Sequence, residues 1–267
     1  MSGGGPTNPV NPSAASAPNP YSPPAAPIDA GGLGVAEERG FKSALPLANV
    51  IAGVMALFVL AEVLVAANAI VGIGVMQPVV AGETLSGVQL AAINHRTSLL
   101  NVLLRVLWVP AIVAYCLFMP RANRNARAFG SRMSNTPGWA AGWFFVPIVY
   151  LWKPYYAMKE IWQGSEPDPT VHPFDAPVSS LLPLWWWMYL AFLFSRQLFS
   201  AANREELEPS AYLAMSWLRL VICVITIVAA FLAAAVVRRL ALRQEERQRR
   251  HPAGSPLPAA PIGGAAP

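Results

Sequence analysis

Four stretches of this chain, at about residues 45–76, 98–119, 181–201 and 211–237, are apolar over the length of a bilayer span, which takes about 20 residues at 1.5 Å rise. A water-soluble fold cannot cover that many long apolar helices. Composition agrees: 55% of residues are hydrophobic and 12% charged, about half the charged share of a soluble domain. The expected fold class is an all-α integral membrane protein with four transmembrane helices. The net charge is +5, and the basic residues flank the apolar runs. Anionic lipid headgroups therefore account for them better than nucleic acid does, and no stretch interleaves arginines with aromatics as a nucleic-acid groove requires.

Residues 1–44 are rich in Pro, Ala, Gly and Ser. Such a segment buries too little apolar surface to offset its ordering entropy, so a disordered tail is expected. A second tail, 244–267, begins charged and helical and ends rich in Pro and Ala. No basic region followed by a short apolar stretch opens the chain, so the first span is expected to direct insertion.

Arg121, Arg124, Arg127 and Arg132 follow the second run, and Arg238, Arg239, Arg243 and Arg247 follow the fourth. The positive-inside rule puts both clusters in the cytoplasm, which requires an even number of crossings between them. The third and fourth runs supply two. Residues 138–152, GWAAGWFFVPIVYLW, are too short to span and are interrupted by Pro147, so a re-entrant or interfacial segment is expected there. Residues 77–95 carry one acid and no Lys or Arg, and 203–210 carry Arg204 beside Glu205, Glu206 and Glu208. Both suit the outside, leaving the two termini inside.

Pro154 suits the first turn of a helix. Beyond it, Tyr155, Met158, Ile161 and Trp162 share one face and Lys159, Glu160 and Gln163 the other. An amphipathic helix results, lying on the cytoplasmic membrane surface or packed under the bundle. Trp139, Trp143, Trp152, Trp162 and the run Trp185, Trp186 and Trp187 fall at a similar level and read as an interfacial aromatic belt.

Four ionisable residues sit within spans: Glu62, Arg105, Arg196 and Arg219. Each costs about 2.5–3.5 kcal/mol to insert and is a candidate functional residue for that reason. Counted from the cytoplasmic ends, the first three lie roughly 21–24 Å up and Arg219 roughly 28 Å up. One acid and three bases thus share a layer of the outer half. Glu62 paired with one arginine while the others snorkel is the structural reading. A site for a lipid headgroup or small anion is the functional one. A proton pathway needs a chain of acids or histidines, which is absent.

No catalytic elbow, zinc-protease helix, phosphate loop or dinucleotide fingerprint occurs. His95, His172 and His251 are scattered outside the spans, so haem ligation has no paired donors. Asp168, His172 and Asp175 fall on a proline-rich loop, a weak metal signal. Cys116 and Cys223 lie in apolar runs and read as small hydrophobes. No cofactor is expected.

The motif string R-x-x-R-N (Arg121, Arg124, Asn125), P-G-W (Pro137–Trp139), G-W-F with Pro147, L-W-x-P-Y (Leu151, Trp152, Pro154, Tyr155), I-W (Ile161, Trp162), S-x-P (Ser165, Pro167), W-W (Trp185, Trp186) and S-R (Ser195, Arg196) resembles a bacterial membrane-protein family catalogued only as a domain of unknown function. The resemblance covers roughly residues 50–245. It implies a multi-span protein of the bacterial cytoplasmic membrane and brings no ligand or catalytic residue. The residues themselves favour a non-enzymatic tether or assembly subunit acting through its cytoplasmic tails. Lipid or small-anion handling at the arginine layer is the alternative.

Overall fold

The computed structural model describes residues 40–172, 175–202 and 208–255. The Pro-rich stretch before residue 40, Arg204–Glu206 and the tail from 256 lie outside the described residues. Among those described, the protein is helical throughout, with no strand. The helices are α1 (Leu45–Val80), α2 (Gly87–Ala128), α3 (Pro137–Gly142), α4 (Lys153–Gly164), α5 (Leu181–Ala202) and α6 (Pro209–Arg250). Two short 3₁₀ turns, Trp143–Phe145 and Val149–Leu151, join α3 to α4.

α1, α2 and α6 are long and apolar enough to cross a membrane. α5 has the length but not the apolarity, because its tryptophan run, Arg196 and Gln197 dilute its leucines. Large apolar side chains stay exposed along the three long helices, among them Leu57, Leu60, Val106, Val109, Val224 and Phe231. Soluble monomers rarely leave such patches open. α2 and α6 have 42 residues each, about 63 Å at 1.5 Å per residue. Both therefore outrun a bilayer of about 30 Å.

α1 and α6 form the central pair, with α2 packed on α1 and α5 on α6. Both described chain ends lie at one end of this bundle. The Lys42 N–H donates to Asn125 Oδ1 (3.1 Å), Asn125 Nδ2 donates to the Lys42 carbonyl (2.9 Å), and Ser43 donates to Glu245. Phe41 stacks on Phe129, and Ala44 is fully buried. The expected tail boundary at 44 is thus too late, because residues 41–44 are packed. The expected boundary at 244 is too early. The stripe Val236, Val237, Leu240, Ala241, Gln244 and Arg247 keeps helical spacing and stays buried to the last turn of α6.

The segment 138–152 forms no single long helix. It folds as α3 and the two 3₁₀ turns at the same end of the bundle, forming with α4 a collar around the ends of α2 and α6. Of the two expected settings for α4, the structure shows the packed one. Met158, Ile161 and Trp162 are buried in the main core with Phe118, Met119 and Leu240, so the apolar face meets protein and not lipid.

Candidate functional site

Two polar assemblies stand out, one in the half of the bundle away from the collar and one in the collar. The outer one is built on Glu62. Its carboxyl is 0% exposed, with the Cys223 thiol beside it. Arg196 Nη1 lies 4.0 Å away and Arg219 is within electrostatic reach. Arg196 is one-third exposed and rests over the Phe192 ring at 5.8 Å; Arg219 rests over Phe199 at 5.3 Å. Arg105 is exposed and close enough to Arg196 to repel it. The four charges therefore do gather, three positive against one negative. Arg196 Nη1 and Arg219 Nη2 are buried and poorly satisfied, Arg196 held to Glu62 only by the long ion pair and Arg219 lying beside the Cys223 thiol. Buried charge is costly unless well paired, and here one carboxylate faces three guanidinium groups. Beneath it, Phe58 meets Trp108 edge-on (6.0 Å) and Trp108 stacks on Phe192 (5.6 Å).

The collar assembly was not legible as a site. Gln244, fully buried, donates to the Ala122 carbonyl (2.8 Å) and Ser165 Oγ (2.9 Å) and accepts from Asn125 Nδ2 (2.9 Å). Asn135 is a second hub. Its carbonyl accepts from Arg127 (2.8 Å), its Oδ1 accepts from Trp143 Nε1 (2.8 Å), and its Nδ2 donates to Glu160 (3.0 Å). Arg243 pairs with Glu166, donates to the Trp162 carbonyl and lies over the Trp162 ring; Arg247 donates to the Glu166 carbonyl. Burial pulls the Arg243 pKa down while Glu166 opposes it. The spacing from Leu240 to Gln244 to Arg247 was the available signal, since it continues the buried stripe of α6.

The remaining expected residues divide. Trp162, Trp185 and Trp186 are buried in the main core and are not a belt. Trp139, Trp152 and Trp187 are exposed. Trp143 tilts against Trp139 at 4.5 Å and carries Lys153 over its ring. Pro154 is buried in the first turn of α4, where Tyr155 reaches Trp186 (6.2 Å). The Pro147 carbonyl accepts from the Val149 N–H (2.7 Å), closing a γ-turn on Ile148 at φ 66°. That conformation strains a β-branched residue. Arg127 is held inside the collar, whereas Arg124, Arg238 and Arg239 are exposed and Arg121 reaches the Ser43 carbonyl at 3.5 Å. Among the described residues no His, Cys, Asp and Glu gather as metal ligands. Asp168 instead closes a turn on Thr170.

No curated protein and no solved structure matches this chain. One family model matches residues 82–241, from the α1–α2 turn into the collar end of α6. α1, and with it Glu62, falls outside that stretch, which starts later than the motif resemblance implies. The match covers more than half of the 267 residues, and the chain belongs to the family described as Domain of unknown function (DUF4328).

Proposed function

We propose that this is a four-span protein of the bacterial cytoplasmic membrane that binds a phosphate-bearing anion, foremost a lipid headgroup, at Arg105, Arg196 and Arg219. In this reading α5 crosses the membrane as the fourth span, and both termini are cytoplasmic. The shared position of Lys42, Asn125 and Glu245 supports an even number of crossings. The exposed Arg124, Arg238 and Arg239 at that end fit the positive-inside rule.

One observation carries the binding reading: three guanidinium groups share one buried carboxylate, which Arg196 holds only at 4.0 Å, so two positive charges are in excess. Arginine's planar fork suits phosphate. Native mass spectrometry of protein extracted in mild detergent tests it. Retained anionic phospholipid, reduced in Arg196→Gln and Arg219→Gln, supports the headgroup; stabilisation of delipidated protein by inorganic phosphate supports a free anion. Equal retention of neutral and anionic lipid, unchanged in both variants, contradicts the reading.

Tethering or assembly is the second reading, favoured by both chain ends leaving from the collar. It expects a stoichiometric protein partner that is lost when residues 1–39 or 256–267 are removed. A cut at 244 would delete Gln244 and test stability instead.

A further inference from the structure

The irregular part of the collar carries an apolar edge. Phe145 and Ile148 are 61% and 69% exposed, one ending the first 3₁₀ turn and one just before the second. Trp152 and Tyr156 are exposed further along. Water is a poor surrounding for such a patch. Ile148 also holds φ at 66°, a conformation that persists only where something compensates its strain. Its side chain lies mostly outside the protein, so internal packing gives no reason for an isoleucine there. The reason lies beyond the chain.

The level of this edge along the bundle identifies its surroundings. Phe144 meets Tyr115 of α2 edge-on at 5.0 Å. Tyr115 stands six residues before Arg121, about 9 Å along the helix axis. Phe144 and Phe145 line a cavity of about 210 Å³ together with Ile112 of α2 and Ala230 and Ala233 of α6. Those alanines precede Arg238 by eight and five residues, about 12 and 7.5 Å. Arg124, Arg238 and Arg239 are exposed where the apolar stretches of α2 and α6 end, and such cations sit among lipid headgroups. The edge lies on the apolar side of them. Ile112 is itself exposed, as are Val109 and Val113, so the apolar surface runs from α2 onto the collar. The backbone suits the same setting. The N–H groups of Val149, Tyr150, Leu151 and Trp152 donate to the carbonyls of Pro147 (2.7 Å), Val146 (3.0 Å), Ile148 (3.0 Å) and Val149 (3.2 Å). Pro147 has no N–H to satisfy. Non-helical backbone needs such closure where water is absent.

We propose that Phe145 and Ile148 dip into the acyl chains of the collar-side leaflet, so that the two 3₁₀ turns form a re-entrant tip while α3 and α4 stay packed in the collar. Lys153, exposed just past the tip with its Nζ 5.4 Å from the centre of the Trp143 ring, then meets the headgroups of the same leaflet. The proposal rests on α1, α2 and α6 crossing a bilayer and not on the arginine layer.

Depth-dependent quenching tests it. Full-length protein receives an environment-sensitive fluorescent amino acid by nonsense suppression, at Phe145 or at Ile148, and is placed in nanodiscs of phosphatidylcholine and phosphatidylglycerol. Val109 of α2 and Arg132 of the collar, both exposed, are the reference positions. The quenchers are lipids with a nitroxide near the top of the acyl chain, lipids with a nitroxide on the headgroup, and iodide in the water. Labels at Phe145 and Ile148 should emit to the blue of the Arg132 label. They should be quenched more by the acyl nitroxide than by the headgroup nitroxide, and should escape iodide. Phe145 lines the cavity, so its label carries some risk to packing; Ile148 does not line it and decides alone if the Phe145 protein fails to fold. Iodide quenching at Ile148 equal to that at Arg132 overturns the proposal. So does protection from all three quenchers, which would assign the edge to a contact with a second copy of the chain. The Val109 label separates the two kinds of failure, because iodide quenching there would mean that α2 itself does not cross the bilayer.

Discussion

Replacing Gln244 with leucine should destabilise the protein by about 2–4 kcal/mol, although leucine nearly matches glutamine in volume and suits an apolar helix face. Gln244 makes three side-chain hydrogen bonds, to α2 twice and to Ser165 just past α4. Each is worth about 0.5–1.5 kcal/mol net, and buried partners left unmade add to the loss. The partners are only partly orphaned, which sets the upper bound. Asn125 keeps the Lys42 carbonyl, and Ser165 Oγ keeps the Ile161 carbonyl. Asn125→Ala should couple to Gln244→Leu by about 0.5–3 kcal/mol, as expected for residues of one network. Equilibrium unfolding in mixed micelles, followed by tryptophan fluorescence, measures both quantities. A Gln244→Leu effect within 0.5 kcal/mol of zero, or strict additivity with Asn125→Ala, would refute the view that this network locks α1, α2, α4 and α6 together.

Gly164→Ala should cost about 1 kcal/mol through overpacking, because its Cβ would fall 3.1 Å from Ser131 Cβ, whereas the Met133 Cε methyl at 2.3 Å can swing away. Gly53→Ala, with nothing within 4 Å, should instead be neutral or stabilising by up to about 1 kcal/mol; the same unfolding assay compares them. Ile148→Gly should stabilise by about 1 kcal/mol by relieving the positive φ, part of the 1–3 kcal/mol such strain costs, and its midpoint should rise. The Thr170 hydroxyl and N–H hold the Asp168 carboxyl below its ordinary range. A lowered pKa adds stability above the ordinary carboxylate value and loses it as pH falls through the lowered one. In Thr170→Ala, nuclear magnetic resonance titration should find Asp168 nearer its ordinary value.

Helix positions were legible because apolar length is a strong signal. All four long apolar runs appear as helices; α6 runs on along a buried stripe, whereas α2 also begins earlier, over the largely exposed stretch Gly87–Thr97. The charge layer was legible because 1.5 Å per residue converts sequence distance into depth, so Glu62 and Arg196 could be matched across two helices. The collar was harder. Trp162, Trp185 and Trp186 have the composition of a membrane belt and the environment of a core, and composition does not separate lipid from protein as the neighbour. α4 poses the same problem, since an amphipathic face is equally satisfied by either. Gln244 and Asn125 lie 119 residues apart, and only the fold brings their amides together. The cavity depends on ring orientations between α2, α5 and the collar, which no spacing encodes.

The central claim is an anionic lipid at the arginine layer. A benzophenone-bearing phenylalanine placed at Phe199, which lies under Arg219, tests it directly in native membranes, with the exposed Phe231 as control. Illumination followed by mass spectrometry of the adducts should find anionic phospholipid enriched at Phe199 over Phe231, and the enrichment should vanish when Arg196 and Arg219 are both changed to Gln. Adducts of the same lipid composition at both positions would contradict it.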